Sequence, residues 1–284
     1  MLGAIGVVAA ACSSSSDSKS ANSTTVPATG SSSTSSAVSA SSSTSVVPDV
    51  ELPDEPFTLG VASGDVTGEA AILWTRLVPD PSVGDGAMPD EEVSVIWQVA
   101  LHESFDPVVA EGVETASAKY AHSVHADATG LEASTDYVYR FSVGDWTSEV
   151  GRFRTLPADG TEPFSFVVAT CQDPQFGQYS AWREIAERDD SAAVVFTGDY
   201  IYELPPIDAS PDKTAERVWT TTPPVDLEGF RLRYAEVKSD VHLQAAHAAS
   251  GWFVMWDDHE ITDNYYKDDG VSSTWPAATS RRNV

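Results

Sequence analysis

Three short stretches of the chain concentrate groups able to hold a metal or move protons. FSFVVAT is followed by Cys171, Gln172 and Asp173; SAAVVFT is followed by Gly198, Asp199 and then Tyr202; GWFVM is followed by Trp256, Asp257, Asp258, His259 and Glu260. Thiolate and phenolate suit a ferric or other transition ion, and carboxylates suit that or a hard ion such as Ca²⁺. A carboxylate on a tight Gly-Asp turn can bridge two ions, and two ions side by side can clamp a phosphoryl group and activate water. One acidic strand end alone is ordinarily a helix N-cap or a solvated turn. Three together, with thiol, phenol, carboxylates and imidazole, resist that explanation.

The elements that must position these groups are legible around them. Each cluster follows a run rich in β-branched and aromatic residues, the pattern of a buried parallel strand. QYSAWREIAERDD predicts a helix with Tyr179, Trp182, Ile185 and Ala186 on one face. A Pro-interrupted loop follows Glu203 to about residue 224, and LEGFRLRYAEVKSDVHLQAAHAAS predicts helices with a break near Ser239. His242 and His247 do not share a helix face and are assigned to packing. From residue 163 the order is β-α-β-loop-α-β, that of a layered α/β domain. Ligands of open α/β sheets bind beyond the carboxyl ends of the strands, so adjacent strand ends would gather the clusters in one crevice.

Residues 51–157 predict an all-β body. FTLGVASGDV, AAILWTRL, VSVIWQVAL, AHSVHADATGL and DYVYRFSVGDWTSEVGRFRTL are short strand-like runs between turn clusters, at the spacing of a β-sandwich. GLEASTDYVYRF is similar to the tyrosine corner of fibronectin type III domains, with Tyr137 bonding back to the preceding corner. His122 and His125 are expected on opposite sides of a strand and not on a shared metal. ADGTE, between Pro157 and Pro163, is the expected linker to the α/β part.

Residues 1–12, MLGAIGVVAAAC, are apolar and small up to Cys12. That is too short for a spanning helix and fits a signal-peptide core. Small residues before a cysteine and a serine-rich run resemble a bacterial lipobox, making Cys12 the candidate lipidation site; plain secretion and an apolar tail are the other readings. Residues 13–50 are Ser/Thr-rich and predict a disordered tether. Cys12 and Cys171 form no disulfide framework. The 284 residues carry 16 Lys+Arg against 43 Asp+Glu, a net charge of −27. Such a surface repels nucleic acid and anionic membrane, and would repel a phosphate ester unless bound cations reverse the field locally.

TCQD, GDYIYE and WDDHE, with FRLRYAEVKSDVHLQAAHA before the last, resemble the PhoD-like alkaline phosphatases, a branch of the calcineurin-like metallophosphoesterases. The SGDV…ILWTRL and YRF…FRTLP segments resemble the β-sandwich leader of that family, and the likeness runs from about 56 to 266. The resemblance implies a fibronectin III/Ig-like sandwich followed by an α/β metallophosphoesterase domain, here its N-terminal half (163–284). It implies an exported, monomeric hydrolase of phosphate mono- or diesters using Fe³⁺ and Ca²⁺, at the cell surface, in the periplasm or outside the cell, and touching membrane only through a lipid anchor. It assigns Cys171, Asp199, Tyr202, Asp258 and Asn264 to metal, with Asp199 bridging and Tyr202 the phenolate. His259 is the catalytic group beside the phosphoryl oxygen, with Asp257 or Glu260 supporting it. Later-chain ligands of the superfamily find no match after Tyr266, so a C-terminally truncated catalytic domain with an open sheet edge is expected. SRRNV reads as the start of a further helix. The alternative is a surface-anchored, non-catalytic β-sandwich binding protein with a remnant α/β domain.

Overall fold

Strand pairing starts from the alternating runs. In a computed structural model, which describes residues 50, 52–158, 163–188, 193–207 and 216–265, eight strands precede residue 158. They are β1 (Val61–Gly64), β2 (Ala70–Arg76), β3 (Val93–Ala100), β4 (Val108–Ala116), β5 (Ser123–Thr129), β6 (Asp136–Val143), β7 (Trp146–Thr147) and β8 (Gly151–Arg154). The rest holds β9 (Phe166–Ala169), α1 (Ser180–Ala186), β10 (Ala193–Phe196), α2 (Leu227–Lys238), α3 (Val241–Ala249) and β11 (Gly251–Val254). The leader with Cys12, nearly all of the tether, most of the ADGTE linker and the segment after Tyr265 lie outside the described residues. No helix among the described residues is long and apolar enough to cross a membrane.

The strands form two sheets. One is antiparallel, β4-β3-β6-β7, with β8 also on β6; the other runs β5-β2-β1-β11-β10-β9. Their inner faces bury one core that includes Val61, Leu73, Val95, Tyr139, Phe141 and Phe153. The tyrosine corner forms as expected: the Glu132 amide donates to the Tyr137 hydroxyl at 2.9 Å. His122 is buried and His125 exposed, so they do not share a ligand position. VVAEGVETA is a further strand, β4; its residues alternate between half-buried and exposed up to the buried Ala116, but no aromatic residue marks it. The Gly144-Asp145 turn serves a short β7, and β8 returns to pair with β6.

The two predicted bodies share the larger sheet. β1 pairs antiparallel with β2 on one edge and parallel with β11 on the other, Ser63 opposite Gly251 and Gly64 opposite Trp252. A strand edge left open presents unpaired amides and carbonyls, and β11 satisfies those of β1. Glycine is required at the seam: a Cβ at Gly64 would lie 2.9 Å from the Trp252 carbonyl oxygen, and one at Gly251 2.5 Å from Val66.

β9, β10 and β11 are parallel neighbours in register, with Ala169 opposite Phe196 and Phe196 opposite Val254. The helices cover one face, burying Trp182, Val194, Phe196, Val237, Leu243 and Trp252. The break between α2 and α3 is a cap: Asp240 accepts from the His242 and Leu243 amides at 2.9 and 3.1 Å, a typical N-cap geometry. His247 is buried, stacked on Trp252 at 3.8 Å, with Nε2 2.8 Å from the Tyr200 hydroxyl. Burial, then the nearby Lys238 charge, holds its imidazole neutral. β9 ends the order of the larger sheet, with Phe166 and Val168 exposed.

Candidate metal centre

The register of β9–β11 brings the three clusters to the same sheet edge. The ladder runs on past the strands: the Thr197 amide donates to Ala169 O at 3.0 Å, Cys171 N to Gly198 O at 3.2 Å, and Gln172 N to Asp199 O at 3.1 Å. Met255 N donates to Phe196 O at 2.9 Å. Backbone pairing thus carries Cys171 and Asp199 side by side. Both sit in the left-handed region, at φ 59° and 58°, as does Asn264 at 55°. Non-glycine residues there cost energy and concentrate at functional sites.

Asp199 is the hub. Its Oδ2 lies 3.3 Å from Cys171 Sγ and 3.2 Å from the Tyr202 hydroxyl. Its Oδ1 is buried without a hydrogen-bond partner among the described residues, an arrangement that is expensive for a carboxylate unless a cation meets it. Ligand atoms of Asp199, Asp258 and His259 lie within 4.8 Å of one another. Burial first, then the Asp199 charge, keeps the Tyr202 phenol protonated well above its ordinary range, so the phenol would yield its proton to a cation and not to bulk base. The donor set and the orphaned oxygen fit a metal.

WDDHE is a tight turn pinned by glutamates. Glu260, buried, accepts from the Tyr200 amide at 2.5 Å and the Asp257 amide at 2.7 Å. In the second bond the Glu260 side chain reaches back three residues to close the turn. Ile261 and Thr262 amides donate to Asp258 O at 2.9 and 2.7 Å. Asp258 Oδ2 accepts from the Asn264 amide, while the Asn264 side chain donates to Asp263 Oδ1 at 2.8 Å. Asn264 therefore meets Asp258 through its backbone, and its carboxamide is turned to Asp263.

The support of His259 differs from the expectation. Asp257 is exposed and Glu260 is committed to backbone amides. The carboxylate on His259 is Glu203, with Oε2 2.9 Å from Nδ1, while its Oε1 accepts from the Asp263 amide at 2.6 Å. The Tyr202 ring lies against the imidazole, centroids 4.2 Å apart. Burial opposes charge on His259, but Glu203, by hydrogen bond and charge, with Asp199 and Asp258, outweighs it and raises the imidazole above its ordinary value. Glu203 sits directly after Tyr202 at the mouth of an irregular loop, with no periodicity to mark it; a buried acid beside a ligand-competent phenol was the available signal. Asp173, read as ligand-competent, caps a 3₁₀ turn instead, accepting from Gln175 N at 2.9 Å.

Profiles of two known domains match the chain in order: the N-terminal domain of PhoD-like phosphatases over residues 40–157, and the PhoD-like phosphatase domain over 166–283. Alkaline phosphatase D of Bacillus subtilis (strain 168) is 44% identical over 212 residues, 74% of this chain and 36% of that protein. A solved structure, "Structure of PhoD", matches with a TM-score of 0.73 at 43% identity, over 76% of this chain and 41% of that one. The chain thus spans less than half the length of these relatives. Matched along both its parts and 44% identical to alkaline phosphatase D of Bacillus subtilis, the chain belongs to the PhoD-like phosphatase family.

Proposed function

We propose that the chain carries part of the metal centre of an exported phosphate-ester hydrolase, in which Asp199 would be the carboxylate common to ferric iron and calcium. Cys171 and Tyr202 would complete the iron side, thiolate and phenolate being suited to it. Asp258, with Asn264 behind it, would serve the calcium side, where oxygen donors suffice. When bound, such ions supply positive charge that stabilises a phosphoryl group and reverses the field of a chain with net charge −27. The observation that carries the reading is Asp199: one carboxylate oxygen flanked by thiol and phenol, the other buried and unpaired.

The protein's own groups have separable tasks. With Nδ1 on Glu203, His259 would donate to a phosphoryl oxygen from Nε2 in its charged form, which Glu203 favours, and Asp257, exposed beside it, would meet solvent at the rim. Export through the leader, lipidation at Cys12, a monomeric state and the absence of nucleic-acid contact complete the proposal; the acidic surface supports the last.

The test is hydrolysis of p-nitrophenyl phosphate and bis-p-nitrophenyl phosphate by the purified chain with added iron and calcium. Metal-dependent turnover, abolished in Asp199→Ala, is the expected result. Turnover unchanged in Asp199→Ala, or no metal retained by the wild type, would overturn it.

A further inference from the structure

We propose that Glu203 is a positioning residue that locks His259 in the Nδ1–H tautomer and fastens the Asp263-Asn264 turn with its second oxygen. The inference rests on the hydrolase reading for its purpose, but on geometry alone for its content. Glu203 is 4% exposed, and each of its carboxylate oxygens has one job: Oε2 is 2.9 Å from His259 Nδ1 and Oε1 is 2.6 Å from the Asp263 amide. An ionised carboxylate only accepts, so Nδ1 must carry a proton. In a neutral ring this leaves Nε2 bare, the nitrogen without a close partner among the described residues, where a carboxylate oxygen of Asp263 lies 3.9 Å away. The Nε2–H form usually dominates in free imidazole, so the preference has to be imposed, and a carboxylate on the far nitrogen is the established way to do so.

Glu203 is itself held from below. Arg233 on α2 is fully buried, and its Nη1 donates to Tyr202 O at 2.5 Å and Leu204 O at 3.1 Å, the carbonyls on either side of Glu203. Its Nε donates to Thr221 Oγ1 at 2.8 Å and its Nη2 to the Thr221 and Thr222 carbonyls, while the guanidinium stacks on Trp219 at 4.0 Å. Every Arg233 nitrogen is thus engaged, the peptide bearing Glu203 is clamped at both ends, and the cation sits where it offsets the buried acid. Across the ring, Tyr202 packs on His259 at 4.2 Å. One segment, Tyr202–Glu203, therefore supplies both a candidate metal donor and the brace that sets which nitrogen carries the proton.

The experiment is a long-range ¹H–¹⁵N correlation spectrum of the full, metal-free chain with ¹⁵N-labelled histidine, at a pH where the imidazoles are neutral. The six histidines are assigned with His259→Gln. The proposal requires His259 to show a protonated Nδ1 and a bare Nε2. Glu203→Gln, whose carboxamide has a single oxygen for two donors, is expected to shift the population toward Nε2–H. A wild-type spectrum with Nε2 protonated, or a folded Glu203→Gln with the His259 signals unmoved, overturns it. If Glu203→Gln does not fold, the wild-type tautomer alone decides. The reading needs neither substrate nor turnover, so a chain that fails to hydrolyse phosphate esters would count against the hydrolase proposal and leave this one to the spectrum.

Discussion

Asp199 combines three costs that a protein without a ligand would avoid: a left-handed backbone, a buried carboxylate, and an oxygen with no donor. Cys171 shares the first of these and touches the same carboxylate. With ferric iron added, the proposed thiolate and phenolate would give a visible absorption band; Tyr202→Phe is expected to shift or abolish it, read by absorption spectroscopy, while retaining the folded far-UV spectrum. Lys238 makes a prediction of a different kind. Its ammonium sits 4.1 Å from the Trp74 ring centroid and 5.5 Å from that of Tyr200, and burial lowers it from 10.5 to about 7. Between these values the unfolded chain holds the proton and the folded chain has released it. Stability contributed through Lys238 therefore rises as pH increases from about 7 toward 10.5, with a limiting slope of about 1.4 kcal/mol per pH unit. Near pH 10 the buried Tyr139, Tyr179 and Tyr200, held protonated by burial, begin to oppose it as their unfolded counterparts ionise. Urea midpoints measured across pH 7 to 9.5 check this, and Lys238→Met is expected to flatten the rise.

At the scale of elements, the site depends on two turns held against each other. Gly198 has φ +104°, and a Cβ there would lie 2.4 Å from Asp257 Cβ. Gly198→Ala is thus expected to cost about 3 kcal/mol or more and to weaken metal binding, since Asp199 and the WDDHE turn move apart; calorimetry with and without metal measures both. Glu260→Ala leaves the buried Tyr200 amide without its acceptor and is expected to cost about 2 kcal/mol in denaturant unfolding. The strand ends were legible because apolar runs stopping at dense charge mark a sheet edge that must do something. Glu203 was not, because its role arises from a contact across 56 residues and no local pattern encodes it. The helix break near Ser239 is legible, and in the structure Asp240 caps the helix beyond it; the strand β4 is not, because Val109 and Val113, 42% and 61% exposed, share its outer face with Glu111 and Thr115.

For the whole molecule, the seam between β1 and β11 joins the segments on either side of ADGTE through one sheet. Backbone pairing has no side-chain signature, and the close approach that requires Gly64 and Gly251 is a property of the assembled sheet. A shared sheet couples the two matched segments, so denaturant unfolding is expected as one transition by tryptophan fluorescence and circular dichroism alike; two separated transitions would contradict the shared sheet. The net charge of −27 adds self-repulsion that salt screens. The central claim is that the strand ends around Asp199 form a metal site, and iron X-ray absorption of the iron-loaded chain tests it most directly. The account predicts a sulfur neighbour to iron that disappears in Cys171→Ser, with iron lost altogether in Asp199→Ala. Iron surrounded only by light atoms in the wild type, or held equally well without Asp199, would contradict it.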